Sequence, residues 1–483
     1  MNWFLRFFDL FIRMGWLIMT PLLLTLCGRV LGLTLGEAAR SGIRTTGAIF
    51  GLNLMVNSLG SSLVSVVADI TVNHQLALEI TDAGWAASSA IAYASVISSW
   101  IIPLFILVNW VMLLSRCTRT LNLDLWNLWH VAFLGAMVER LTGSLAYGMV
   151  TAAAVSVVLL VFSDRCGWRM SRYCQIPGVS VANGFATAAV PFGLLAEHLL
   201  NRIPGRPRLV LDRSTEPKAA LASPVAWSFA MGLLLGVLAG REAFAILQLA
   251  MTFGALAFLA PYLGQALSAA LTPIGERMVV FSKEKLGIKG NLYLALTTTA
   301  ALGSGTVVVV TLMVTPIITF LAGSIPGNRF LVQGDIAMLP YIIAIIVIVC
   351  RGDLVRSLLA GVLASATMLW CASYLAELFT LGAVSANAEL FEQLGTISNF
   401  SDGGNFLCWL AVQAGSYGFA GMALMVVAAV TLAVWNRNRI VTGLDVAGLK
   451  PRRPRRSESP AAPEPPAPEE QPQAPQPTGE EQG

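Results

Sequence analysis

The most constraining feature of this sequence is a succession of long apolar runs with no charge inside them. None of Asp, Glu, Lys or Arg occurs at positions 45–68, 83–115, 141–163, 243–275 or 403–436. A helix needs about 20 apolar residues to cross a bilayer core, and each of these runs supplies that or more. The whole chain agrees: 12% of its 483 residues are charged and 56% hydrophobic, where ordinary soluble domains carry roughly 25% charge. A soluble nucleic-acid binder, a disulfide-stapled secreted module and a disordered chain are excluded. The composition specifies an all-α polytopic membrane protein whose principal surroundings are the lipid bilayer.

The charge that remains is unevenly placed. Residues 457–483 hold six Glu and no Lys or Arg, so the net +4 of the chain hides 31 basic against 21 acidic groups in the first 456 residues. In a membrane protein such an excess sits in cytoplasmic loops. The segments 164–173, 202–218, 277–289 and 436–456 are basic, whereas 69–84 and 376–405 are acidic with no Lys or Arg. The first group is assigned to the cytoplasm and the second to the outside. Residues 1–14 read as an interfacial segment without a cleavable leader. Residues 15–436 form the membrane domain, and 437–483 a basic, then Pro/Glu-rich, disordered cytoplasmic tail.

Eleven crossings account for the apolar runs, near 15–33, 46–67, 97–115, 125–139, 144–163, 223–240, 243–271, 305–323, 336–350, 354–375 and 406–434. This count puts the N-terminus outside and the tail inside. The run 178–197 lies between two basic loops, so it must enter and leave on the same side. Its Pro177, Gly178, Asn183, Gly184, Pro191 and Gly193 are poor material for a lipid-facing helix, and broken backbone at membrane depth must be buried in protein or line a cavity. We read it as a re-entrant hairpin. The runs 86–96 and 292–304, rich in small and hydroxyl residues, have the same texture. One falls in each set of five crossings, the pattern of an inverted repeat, in which transporters place their substrate sites.

Ionisable groups inside spans are costly and therefore informative. His130 follows Trp126 and Trp129 at the start of a span. Imidazole and indole suit a sugar or polyol, through hydrogen bonds to hydroxyls and flat faces for C–H groups; an interfacial Trp belt is the other reading. Asp82-Ala83-Gly84-Trp85 with Ser88 and Ser89 places a carboxylate, an aromatic and hydroxyls before a half-hairpin, or forms an outer turn. Seven Cys and three His show no metal-ligand or disulfide spacing. Phosphate-binding, dinucleotide, zinc-hydrolase and serine-hydrolase motifs are not found. No catalytic residue, metal ligand or cofactor is assigned, and no nucleic-acid partner.

Several stretches together resemble a known family. Gly51-Leu52-Asn53-Leu54, Asp82-Ala83-Gly84-Trp85 and Thr120-Leu121-Asn122-Leu123-Asp124-Leu125-Trp126-Asn127-Leu128-Trp129-His130 are similar to the galactitol-type membrane component, enzyme IIC, of the bacterial phosphoenolpyruvate:sugar phosphotransferase system. Pro177-Gly178-Val179-Ser180, Arg202-Ile203-Pro204-Gly205, Leu271-Thr272-Pro273-Ile274, Pro326-Gly327-Asn328 and Arg351-Gly352-Asp353-Leu354 continue the likeness in order, from about residue 15 to about 436. The resemblance implies a homodimeric permease of the ascorbate–galactitol superfamily in the bacterial inner membrane. Its core would move like an elevator and present a sugar or polyol to a separate IIB protein, charged in turn by IIA. Where the family has a His and an Asp for substrate hydroxyls, and a second His, this chain has Asn183, Thr297 and Ser304. The implied substrate site is His130, Asn183, Gly184 and Thr297, with Asp82 and Trp85 nearby and Ser304 behind. A phosphorylation-independent carrier on the same fold, and a transport-dead membrane sensor or scaffold, are the competing functions.

Overall fold

A computed structural model describes residues 14–203, 208–211, 223–285 and 291–443; the expectations for 1–13 and for the tail beyond 443 lie outside these residues. The described residues are mainly helical, interrupted by short extended pieces. In order the elements are α1 (Trp16–Val30), α2 (Leu35–Asn73), β1 (Thr81–Asp82), α3 (Gly84–Ala94), α4 (Ile97–Leu114), β2 (Thr120–Asn122), α5 (Trp129–Thr142), α6 (Leu145–Tyr173), β3 (Val179–Val181) and α7 (Val190–Leu200). Then follow α8 (Pro224–Leu238), α9 (Ala243–Glu284), β4 (Tyr293–Leu296), α10 (Gly305–Leu321), α11 (Leu339–Val349), α12 (Leu354–Ala386), α13 (Ala388–Phe391), β5 (Ile397–Ser398), α14 (Phe406–Ser416) and α15 (Gly418–Thr442).

Helix starts are written locally. Thr34 and Glu37 form a capping box at α2, the Glu37 carboxylate accepting from the Thr34 N–H at 2.9 Å and the Thr34 hydroxyl from the Glu37 N–H at 3.3 Å. Asp353 caps α12 and Asn405 caps α14, each side chain accepting one backbone N–H, of Arg356 and Leu407.

Among the described residues seven helices are long and apolar enough to cross a membrane: α2, α4, α6, α9, α10, α12 and α15. The other four expected crossings are the shorter helices α1, α5, α8 and α11. At 1.5 Å per residue the 11 residues of α11 span about half of a 30 Å hydrocarbon core. It and α5 are each completed by a 3₁₀ turn, at Gly334–Met338 and Trp126–Leu128, and by extended backbone before it. The run 406–434 is not one helix. A left-handed Gly418, with φ of 58°, divides it into the short α14 and the long α15.

The chain folds as two repeats. Residues of α1 to α7 and of α8 to α14 follow the same plan, a helix pair of 15 and 39 residues in the first and 15 and 42 in the second. The ends of α2 and α8 meet: Asn73 donates to the Ala239 carbonyl at 2.7 Å and Asp69 pairs with Arg241 at 2.6 Å. The first repeat's second helix and the second repeat's first helix therefore finish on the same face, so the repeats are inverted.

The strands interlock them. β4 of the second repeat lies between β2 and β3 of the first, all parallel. β1 of the first repeat lies between β5 and Phe330 of the second, again parallel. The bonds correspond one to one: the Ile80 N–H reaches the Arg329 carbonyl as the Tyr293 N–H reaches Arg119, and Thr81 reaches Thr396 as Leu294 reaches Gly178.

The re-entrant reading of 178–197 agrees with this geometry. Its entry packs on α9, where a β-carbon at Gly275 would stand 1.9 Å from the Pro177 carbonyl oxygen. Its exit, Asn201, bonds Arg356 at the start of α12. The second repeat has an equivalent hairpin, 397–416, which the sequence reading divided between an outer loop and a crossing. Gly275→Val should lower the thermal unfolding midpoint of the purified protein by an amount equivalent to about 1–3 kcal/mol or more, because backbone must move. Gly36→Ala, where a β-carbon meets nothing within 4 Å, should be neutral or stabilise by about 0.5–1 kcal/mol.

Candidate functional site

The ends of the interlocked strands feed 3₁₀ turns and short helices that stop in the middle of the molecule. There they enclose a cavity of about 220 Å³. Its walls come from α1 (Trp16, Met19), α2 (Ile49, Asn53), α3 (Trp85), the segment Leu123–Asn127 with Trp129 and His130, the hairpin tip (Asn183, Phe185), residues 296–299 at and beyond the end of β4, and Met338 and Tyr341. Four indoles and one phenol supply flat apolar surface, and Asn, His and Thr side chains supply hydrogen-bonding groups. Asp124 is the one carboxylate among the described lining residues, and the Asn127 amide donates to both its oxygens, at 2.9 and 2.8 Å.

His130 is 4% exposed. Its ring lies 3.7 Å, centroid to centroid, from Trp129 and 4.8 Å from Phe185. Nδ1 lies 2.8 Å from Oδ1 of Asp402, which turns Nε2 into the ring atom available to a ligand. Gly184 packs directly on it: a β-carbon there would be 2.5 Å from the His130 Cβ. The Gly184 carbonyl accepts the Asn405 amide at 2.9 Å, so the tips of the two re-entrant hairpins touch.

Asn183 serves the backbone as well as the cavity. Its Oδ1 accepts the N–H groups of Phe185 and Ala186, each at 3.0 Å, capping the turn that leads into α7. Oδ1 is thereby committed, and Nδ2 is the polar atom left for the cavity. The Thr297 hydroxyl is 3.4 Å from that of Thr299, which donates to Asn53 at 3.0 Å.

Of the residues read from the sequence, His130, Asn183, Thr297 and Trp85 line the cavity and Gly184 stands behind His130. Asp82 and Ser304 do not line it. Asp82 accepts three backbone N–H groups, from Gln333 and Asp335 at 2.8 Å and Gly84 at 3.0 Å, and so ties β1 to the 3₁₀ turn of the other repeat. Ser304 caps α10 and pairs with the Tyr173 hydroxyl at 2.7 Å.

The sequence reading placed Asp402 in an outer acidic loop; the structure corrects this, since Asp402 is fully buried and bonded to His130. Asn53, Asp124, Tyr341 and Trp16 were not singled out as site residues. The signal for Asp402 was present in Ser398-Asn399-Phe400-Ser401-Asp402-Gly403-Gly404-Asn405, whose Gly and Asn texture before an apolar run repeats that of 178–197. The cap predicts a separable effect: Asn183→Ala should cost about 0.5–2 kcal/mol of stability, and Asn183→Asp, which keeps an acceptor for the same N–H groups, should cost less in a parallel melting experiment.

Comparison with known proteins bears on this arrangement. Residues 11–393 match the family EIIC-GAT, described as the PTS system sugar-specific permease component. The PTS system galactitol-specific EIIC component of Escherichia coli (strain K12) is 30% identical over 402 residues, covering 83% of this chain and 88% of that protein. A second protein of the same strain, whose name goes no further than a permease IIC component, is 28% identical over 435 residues, covering 89% of this chain and 99% of its own length. The chain therefore belongs to the sugar-specific permease components, EIIC, of the phosphotransferase system: it is a multi-pass bacterial inner-membrane protein that moves a sugar in partnership with the IIB and IIA proteins of that system.

Proposed function

We propose that the substrate is an uncharged sugar or polyol of the galactitol type, bound in the central cavity by His130, Asn183 and Thr297 with Trp85 against its carbon face. The observation that carries this reading is the cavity wall itself. Amide, imidazole and hydroxyl groups share the wall with indole faces and one carboxylate, Asp124, which Asn127 engages, and no Lys or Arg is found among the described lining residues. Such a wall pairs with hydroxyls and C–H groups, whereas an anionic substrate would leave its charge unmatched. The galactitol-specific relative supports the same substrate class.

Two inverted repeats around one central site are the architecture of alternating access. The helices α1, α2, α8 and α9 pack on one another, and only α1 and α2 contribute walls from that group. In our reading this group is the fixed body. The hairpins and their long helices are the part that shifts, in a homodimer, and the sugar is then phosphorylated by a separate IIB protein on the inner face.

The charges at the two faces support an orientation with the N-terminus outside and the C-terminus cytoplasmic. On one, Glu197 gathers Arg169, Arg208 and Arg351, and Arg437 bonds the Ser115 carbonyl; on the other lie Asp69 and Glu79, each paired with a single Arg, Arg241 and Arg329, and Glu139. In our reading the positive-inside rule makes the first face cytoplasmic, with the start of α1 outside and the end of α15 inside.

Uptake of labelled galactitol into proteoliposomes should require both purified IIB and phosphoenolpyruvate; uptake that ignores phosphoenolpyruvate would favour the uncoupled carrier. His130→Ala should weaken binding roughly threefold to tenfold or more, the worth of one hydrogen bond. In a background without the native cysteines, Gly395→Cys should react with an impermeant thiol reagent in intact cells and Lys285→Cys should not. The reverse labelling would invert the topology.

A further inference from the structure

We propose that Asp402 is a positioning residue that fixes the hydrogen-bonding polarity of the substrate site through His130. This rests on the reading above, that His130 faces the substrate. Asp402 lies past residue 393, where the family match ends, and belongs to the hairpin of the second repeat, whereas His130 belongs to the first.

The carboxylate is held at both oxygens. Oδ1 is 2.8 Å from His130 Nδ1. Oδ2 is 3.0 Å from the Ser88 hydroxyl and 3.5 Å from that of Ser401. Ser88 in turn accepts the Asn399 amide at 3.0 Å and sits one turn after Trp85 at the cavity wall. Asp402 and Ser88 are both wholly buried, so neither can trade these partners for water. A carboxylate only accepts hydrogen bonds, which places the ring proton of His130 on Nδ1.

A neutral imidazole with its proton on Nδ1 offers a lone pair at Nε2. In the proposed state the ring is neutral, so the cavity meets an acceptor at His130 and a donor at Asn183 Nδ2, whose Oδ1 is taken up by the backbone. A substrate hydroxyl can satisfy both at once, donating to one and accepting from the other. An imidazole free to exchange tautomers would present a donor part of the time and lose that match. Selectivity for a hydroxyl over a hydrogen at this carbon is thus set by a residue that never touches the substrate, since a site built to bond a hydroxyl leaves its own groups unpaired against an analogue lacking it.

The test uses the full-length protein in nanodiscs with ¹⁵N-labelled histidine. The chain has three histidines, and His130→Gln identifies the signal of interest. Wild-type protein should show His130 protonated at Nδ1 and unprotonated at Nε2, before any ligand is added. A proton on Nε2 instead overturns the proposal whatever the variants do. Asp402→Leu should mix the tautomers and weaken galactitol binding by about tenfold or more. Asp402→Asn, whose amide oxygen can still accept from Nδ1, should restore most of that loss and the wild-type spectrum. A merely structural role would move stability without moving the tautomer signal. If His130→Gln binds galactitol as wild type does, the substrate reading falls; if His130→Gln loses binding and Asp402→Leu does not, the positioning role alone falls. Should Asp402→Leu fail to fold, the wild-type and Asp402→Asn spectra still decide.

Discussion

Everything in this molecule follows from the need to pair extended backbone inside an apolar body. An unpaired N–H or C=O away from water costs about as much as a lost hydrogen bond, and every residue of β3, β4 and β5 is buried. Neither repeat pairs its own central strand. β4 finds its partners in β2 and β3, and β1 finds them in β5 and Phe330. Once the strands are fixed in this crossed arrangement, the short helices that continue from them must begin near the centre. Their N-terminal turns, with N–H groups still to be satisfied, are what surrounds the cavity.

Polar side chains at that centre consequently serve two masters. Asn183 spends its oxygen on the turn before α7 and keeps its amide for the cavity. Asp82 spends its carboxylate entirely on backbone N–H groups, two from the other repeat and one from Gly84 of its own. The difference between a residue that builds the site and one that can meet a ligand lies in which atoms remain after the backbone has been served. Gly184 contributes by having none: the space a side chain would need is filled by His130.

Much of this was legible in the residues. Charge-free runs gave the membrane domain, and 178–197 announced itself as re-entrant because two basic loops bracket it. Its counterpart 397–416 gave no such sign. Only Tyr417 separates α14 from α15, so no charged loop marks the exit, and the break rests on a single positive-φ glycine. Asp402 falls in the outer loop of the sequence reading because 376–405 holds Glu377, Glu389 and Glu392 with no Lys or Arg. Its partner His130 is 272 positions away, beyond the reach of any local pattern. The short crossings were also hidden, since a 3₁₀ turn and a strand extend the apolar run without extending the helix.

The crossed strands also dictate an order of events during synthesis. When residue 200 has been made, β2 and β3 stand on either side of a gap that only Tyr293–Leu296 can fill, and Thr81 has yet to meet Ile397. At a translation rate of about 5–20 residues per second, β2 waits on the order of ten seconds or more for its neighbour. Through that interval the first repeat carries unpaired backbone edges within the membrane, so it is not a folding unit that could be inserted and completed alone. The two repeats look like independent copies in sequence order, but they mature together, and the nascent first half depends on whatever in the membrane can shield a strand edge until the second half arrives.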